Sequence, residues 1–410
     1  MSVELNWREG EESGDVAWGE LDASTAPEPA RTIVRGARSR PKRSRTALPF
    51  LLAVLAGILI GSAALAAFLV VRTNQSSELA RQDIEAALAL LLDAQANGDV
   101  SGYAELLDPN EEVWRSRRIA GLRRTTDAPV QTNVESVRLQ GDLALAELTG
   151  TAADGGEVAT RTAFFRFHNG RWLLTAPVAE QFGAQLQQSS PHFLIEYRKA
   201  DEPAIHSLVD LVEGSYVVLC GELRCRTSER PISLVLSYEE NGAAIDAALQ
   251  VTSPRLTGVD GRGQPGESFE RELTGALAIY LAAARFPATS PALRAAVAEW
   301  AVAELSGATS PEMTALRQAA RRDDLLPLDR VWRLVAVRNE NGALEQTQVA
   351  SMFIYAQETF GNGAVARLLE ATPADLPDAL RRAYGVSYDD FNAGWQEWLQ
   401  AGSPAADRPA

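Results

Sequence analysis

The chain has 410 residues, 46% of them hydrophobic and 23% charged, which excludes a mainly disordered polypeptide. Its 54 acidic residues outnumber 39 basic ones for a net charge of -15, so nucleic acid is not expected as a partner, because phosphate affinity comes from Lys and Arg. Two cysteines and three histidines exclude a disulfide-rich scaffold and leave little material for a histidine-based metal site. Lys42 and Lys199 are the only lysines, and the arginine bias, with abundant alanine, points to a high-GC bacterial genome.

In chain order, residues 1–46 read as a disordered tail, acidic in its first part and basic from Arg31 to Arg45. Trp7 and Trp18 are unusual in such a tail and could dock onto a cytoplasmic partner, but are read as incidental. Residues 46–71 then run for 26 positions without a charge, more than the ~20 apolar helical residues that span a bilayer. Seven basic residues between Arg31 and Arg45 flank this run on its N-terminal side, and Arg72 is the only charged residue between it and Glu78. The positive-inside rule puts the N-terminus in the cytoplasm and everything after Arg72 outside. A small-residue word, Ala64-Leu65-Ala66, resembles a signal cleavage site. However, the apolar run starts late and continues to Val71, which favours an uncleaved helix over 47–71 in a bacterial cytoplasmic membrane.

From Ser76 to Asn97 apolar residues recur at three- and four-residue spacing, which predicts a helix stopped at Gly98. Shorter helices are expected over 101–107 and from Arg115 to Arg124. The period then changes to two, predicting strands over 130–139, 143–150, 159–168 and 172–176, with a hairpin turn at Asn169-Gly170. Helices followed by a strand meander make an α+β region, assigned to 76–185. The words LLDAQANGDVSGYAELLDP and FFRFHNGRWLLTAP resemble the nuclear-transport-factor-2-like cone, through Gly98-Asp99 and Gly170-Arg171-Trp172. The resemblance implies a curled sheet over the long helix and an internal pocket, catalytic in some members of that family and a binding module in others. His168 could face such a pocket as a proton carrier, but no positioned partner for it is visible, so it is read as a solvent-contacting residue beside the turn.

The remainder, 190–400, is predicted to begin with strands over 192–197 and 232–238 around a helix over 204–219. Cys220 and Cys225 follow; in an oxidising compartment they could form a disulfide, and two free thiols are equally compatible with the sequence. Gly258 to Ser268 is read as a loop, since it lacks Lys and the strand–turn–helix context of a phosphate loop. A helix is predicted over 269–284, with Phe269, Leu273, Leu277 and Leu281 on its buried stripe. The last helices are expected to turn at Gly361-Asn362-Gly363, to start near Pro377, to end at Gly385 and to restart with a capping pair Ser387/Asp390. Phe391, Trp395 and Trp398 follow as core. The tail 401–410 reads as disordered.

Arg271-Glu272-Leu273-Thr274-Gly275, followed by Leu293 to Trp300 and then by Phe353, Tyr355, Tyr384-Gly385, Phe391 and Trp395, resembles the gluzincin-type, peptidase MA-like domains. Active members carry His-Glu-x-x-His on the first of these helices and a glutamate ligand on the second. Here the ligand positions hold Arg271, Gly275 and Ala295; only the base position, Glu272, is kept. A catalytic zinc needs three protein ligands, so the resemblance implies a fold without metal, cofactor or confident catalytic residue. Arg271 is expected to pair with a carboxylate in the metal's place, because a guanidinium in a partly dry cleft needs one; the candidates are Glu272 beside it and, across the cleft, Glu299.

These readings give an α+β protein with one transmembrane helix, a cone domain and a largely helical peptidase-like domain with a small sheet. The expected role is a membrane-anchored, extracytoplasmic pseudopeptidase that binds or scaffolds a protein or peptide. Two alternatives remain open at this stage. One is a divergent hydrolase using Glu272, alone or as a carboxylate pair with Glu299; the other is a small-molecule binder or sensor acting through the cone pocket.

Overall fold

The structure, a computed structural model, describes residues 62, 76–122, 131–151, 158–225, 230–238, 248–306, 311–338, 342–371 and 375–401. Apart from Ser62 and Ala401, which are helical, the predicted membrane span and both predicted tails lie outside the described residues. Ala67 to Ala410 form one compact unit of α+β class, with two four-stranded sheets.

The first helix, α1 (76–96), buries Ala80, Ile84, Ala87, Leu88, Leu91 and Ala94 on one face, the stripe its periodicity predicts. Gly98 ends it with φ +64°, a left-handed conformation that glycine adopts without steric cost. Asp99 then caps α2 (Val100–Glu105), accepting the Gly102 N–H at 3.0 Å. After α2 the chain turns at Asp108, whose carboxylate is fully buried. It accepts hydrogen bonds from Asn110 N–H (3.0 Å) and Thr175 Oγ1 (2.9 Å) and lies 3.1 Å from Arg166 Nε. These contacts tie the turn before α3 (Glu112–Leu122) to the strands that follow.

β1 (Gln131–Gln140), β2 (Leu143–Thr151), β3 (Val158–His168) and β4 (Arg171–Thr175) form an antiparallel meander in sequence order, with a register shift between Val134 and Ser136. Asn169 and Gly170 both have positive φ, 50° and 83°, as a two-residue turn of the strand-matching hand requires. Both faces of β3 are covered. Phe165 joins the core against α1, while its neighbour Phe164 faces the opposite way and meets Phe182 and Tyr238.

The second sheet runs β5-β6-β7-β8: β5 (Gln185–Ser189), β6 (Phe193–Arg198), β7 (Ile232–Ser237) and β8 (Leu249–Thr252). β5 pairs antiparallel with β6; β6–β7 and β7–β8 are parallel. A parallel pair needs a crossover, and α4 (Ile205–Leu223) supplies it between β6 and β7. β5 was not foreseen, since QLQQS is polar and mostly exposed. Its pairing places residues 185–189 in the second sheet and moves the start of the second region ahead of 190.

By length and composition, Lys199–Leu223 is the one helix among the described residues able to cross a membrane. Leu208, Val212, Leu219 and Leu223 are nevertheless fully buried in the main core, and Glu213 and Glu222 make structural hydrogen bonds, so we read it as a core helix.

The short α5 (Pro254–Thr257) precedes the helical layer: α6 (Glu267–Arg285), α7 (Pro291–Ser306), α8 (Pro311–Arg321), α9 (Leu328–Trp332, continued by a π turn at Arg333–Val337), α10 (Ala343–Phe360), α11 (Ala364–Glu370), α12 (Leu376–Tyr384) and α13 (Tyr388–Ala401). Trp300, Trp332, Phe353, Phe391 and Trp395 fill its centre. The expected punctuation is present. Gly361, Gly363 and Gly385 have positive φ, and the Asp390 N–H donates to Ser387 Oγ (3.1 Å) at the start of α13. Trp395 is core, with Nε1 donating to Ser351 Oγ at 3.1 Å, whereas Trp398 lies at the margin and donates to Glu358 Oε2 at 2.7 Å.

Candidate functional site

Glu272 lies on α6 one residue after Arg271, and the two side chains do different things. Glu272 Oε1 accepts hydrogen bonds from both the backbone N–H and the hydroxyl of Thr252, each at 2.7 Å. Thr252 is the buried last residue of β8. The carboxylate that would be the base in an active peptidase thus ties α6 to the end of the second sheet.

Arg271 does not pair with Glu299. It lies 3.0 Å from Glu267, one turn earlier on α6, with its side chain about half exposed. The expectation of a cleft ion pair fails because this helical position faces solvent, where an (i, i+4) partner on the same helix is nearer than any carboxylate across a groove. Gly275, the second ligand position, is the close approach of α6 to α7: a Cβ there would lie 3.6 Å from Ala298 Cβ and 3.8 Å from Val302 Cγ2. Ala295 is partly buried one turn before Ala298 and carries no ligating atom. Among the described residues no group of three His, Cys, Asp or Glu side chains is placed to hold a metal.

Glu299 is partly buried on α7. Burial pushes its carboxyl up to about 7; a hydrogen bond with Thr347 acts the other way, and the nearby negative charge of Glu312 adds to the rise. A guanidinium alongside would have had the opposite effect.

The loop 258–268 is held by its own turn and by the edge of β3. Asp260 Oδ1 accepts the N–H groups of Arg262 (2.8 Å) and Gln264 (2.7 Å), and Val259 exchanges backbone hydrogen bonds with Thr160 at the edge of β3. At Gly258, with φ +133°, a Cβ would come within 3.1 Å of Ala159, so only glycine lets the loop lie against the strand.

A cavity of about 330 Å³ opens beside α1. Leu88, Leu91 and Leu92 of α1 form one wall, Trp114 and Arg118 of α3 another, and Arg161 of β3 faces them; Leu256 and Ser268 reach in from the second region. The Arg118 guanidinium lies over the Trp114 ring, 5.6 Å from its centroid. Among the described residues lining it there are two arginines and no acid or histidine, so nothing there can act as a carboxylate or imidazole base. His168 lies at the hairpin end, in register with Arg171.

Two polar clusters escaped the sequence reading. In one, Asp201, almost fully buried, accepts the Tyr238 hydroxyl (2.5 Å) and the Ser253 hydroxyl (2.9 and 3.0 Å). Burial raises its carboxyl pKa, with these hydrogen bonds opposing the rise. Tyr238 also accepts the Arg198 N–H at 2.7 Å, so this network binds the end of β6 to that of β7.

In the other, Glu213, Tyr216 and Cys220 lie on one face of α4 next to His192. His192 Nδ1 is 2.6 Å from Glu213 Oε2, its backbone N–H donates to Glu213 Oε1 at 2.9 Å, and its ring lies 4.3 Å from that of Tyr216. Ser190 Oγ donates to Glu213 at 2.6 Å. Burial would raise the Glu213 carboxyl, but the hydrogen bonds from Ser190 and His192 outweigh it and hold the pKa below the usual range. Cys220 and Cys225 are free, partly buried thiols. Both are in hydrogen-bond contact, and Cys220 is also bonded to Tyr216. The three- and four-residue spacing of 213, 216 and 220 was readable as a helix face; nothing in the sequence brings His192 to it.

No protein-family model matches the chain, and a search of curated proteins finds no match to it. The cone-like and peptidase-like readings therefore rest on the residues quoted above.

Proposed function

We propose that this protein is a membrane-anchored, extracytoplasmic, non-catalytic peptidase-like protein that binds or scaffolds a protein or peptide partner. In this reading residues 47–71 hold it in a bacterial cytoplasmic membrane with the N-terminus inside. The first α+β region corresponds to the cone, and the helical region to a peptidase MA-like domain. The observation that supports the non-catalytic part is the engagement of Glu272 Oε1 by Thr252, in a chain whose expected ligand positions hold Arg271, Gly275 and Ala295. A base must reach the water or substrate whose proton it takes, and Glu272 Oε1 is already committed to two donors.

Zinc analysis of the purified full chain, with proteolysis of casein, tests this. The expected result is zinc well below one per chain and no chelator-sensitive activity. About one zinc per chain together with cleavage that disappears in Glu272→Gln would refute it.

The cavity beside α1 favours a second reading, a binder of a small, partly apolar anion. Its apolar walls and its two arginines match that chemistry. Octanoate is a suitable probe. A concentration-dependent rise in melting temperature that Arg161→Ala removes would support this reading, and no shift at millimolar octanoate would count against it.

A further inference from the structure

We propose that Cys220 and Cys225 are a disulfide-exchanging pair, in which Cys220 attacks an incoming disulfide and Cys225 resolves the mixed disulfide. The inference stands independently of the binding reading above. It starts from the way α4 ends. Arg224 takes the left-handed conformation (φ 50°, ψ 48°), and the Cys225 N–H donates to the Cys220 carbonyl at 3.0 Å. This six-to-one closure is the Schellman motif, which brings the side chains of its first and last residues together. Here those residues are the two cysteines.

Both thiols keep some exposure, and several positions on the outer face of α4 beside them carry small or short side chains. Gly214 and Gly221 are exposed, as are Val217 (63%) and Val218 (43%).

The surroundings make the two sulfurs unequal. The Cys225 thiol and the Tyr216 hydroxyl both donate to Cys220, and the His192 imidazole lies nearby; against the cost of burial these bring Cys220 down to about 7. Glu213 faces the same group from α4 through His192 and Tyr216. Cys225 is pushed up, by its hydrogen bond to Cys220 and by burial, although the Arg285 cation acts the other way. An attacking thiol works best with a pKa near the ambient pH, and a protonated neighbour waits for the second step.

The chemistry balances with an external disulfide, RS–SR′, as oxidant. The Cys220 thiolate forms a bond to one sulfur and expels R′S⁻, which takes up a proton. Cys225 then loses its proton to solvent and attacks the Cys220 sulfur, and RS⁻ leaves and is protonated. Two thiols and one disulfide become one disulfide and two thiols, with two electrons passing from the cysteine pair to the incoming disulfide.

The loop so closed contains Gly221, Glu222, Leu223 and Arg224. Glu222 Oε2 accepts from Gln357 Nε2 (2.5 Å) and Gly363 N–H (2.8 Å), while the Arg224 carbonyl accepts from Arg285 Nε (3.2 Å). The pair's redox state therefore acts on the corner where α4 meets the ends of α6 and α10.

The test uses the full chain, and its Cys220→Ser and Cys225→Ser variants, in glutathione buffers of graded oxidation. Remaining thiols are trapped with iodoacetamide and intact masses are measured. The wild type is expected to lose both alkylation sites together without gaining glutathione. Cys225→Ser should accumulate one glutathione on Cys220, and Cys220→Ser should react at least about ten-fold more slowly, because burial still disfavours ionisation of its remaining thiol. Glutathione retained on the wild type, no internal disulfide in oxidising buffer, or equal rates in the two variants would overturn the proposal. If a serine variant fails to melt cooperatively, timed alkylation of the wild type with peptide mapping replaces it. Cys220 should then label about ten-fold faster than Cys225, and equal labelling overturns the assignment.

Discussion

Replacing Glu299 with glutamine should stabilise the protein at alkaline pH and leave it almost unchanged in mild acid. Glu299 is partly buried on α7, and its carboxyl titrates near 7 where an ordinary one titrates at 4.5. Its folded-state pKa is raised, so the native protein holds a proton that the unfolded chain has lost. The resulting stabilisation is complete below about pH 4.5 and is lost as pH rises through 7. A rise of that size corresponds to roughly 3 kcal/mol at 1.36 kcal/mol per unit. Because Glu299 retains some contact with water, about 2–3 kcal/mol is the working figure. Glutamine keeps the shape without the ionisation. The stability difference, Glu299→Gln minus wild type, should therefore climb from near zero around pH 4 to about 2 kcal/mol or more at pH 8. Guanidinium unfolding of the full chain, followed by tryptophan fluorescence across that range, measures it. A difference that stays flat with pH, or a variant less stable than wild type at pH 8, would refute the desolvation argument.

Glu272→Ala should cost about 1–3 kcal/mol, because the N–H of buried Thr252 loses its acceptor, while Glu272→Gln, which keeps an acceptor oxygen, should cost under about 1 kcal/mol; denaturant midpoints distinguish the two. Gly275→His should destabilise the helical layer by about 1–3 kcal/mol, since the imidazole must grow into Ala298 and Val302. A stable Gly275→His variant would show that α7 can withdraw from α6. Tyr238→Phe should cost about 1–3 kcal/mol by leaving Asp201 and the Arg198 N–H short of a partner, read as a shift in the unfolding midpoint. Protease added to intact spheroplasts should remove the region after Arg72, and full protection of that region would reverse the proposed orientation.

Local signals were enough for most elements. The three- and four-residue spacing in α1 and α6, the alternation in β1 to β4, the Asn169-Gly170 turn and the Ser387/Asp390 cap each depend on residues close in sequence, and each lies where its pattern put it. The loss of the ligand positions at 271, 275 and 295 was legible for the same reason, since it depends only on which side chains are there. Nothing short-range announces β5 and β8. QLQQS and LQVT are short, and they are strands because β6 and β7 offer them free edges. The partners of charged groups were decided at longer range still. Arg271 chose Glu267 over Glu299 because the orientation of α6 leaves it in water. Glu272 met Thr252 twenty residues away because β8 ends beside α6. His192 reaches Glu213 and Tyr216 because β6 starts alongside α4. A sequence states which groups a chain can offer to chemistry. Which of them meet, and how much water stays between them, depends on packing among elements far apart in the chain, and that packing sets the titration of Glu299 and Cys220.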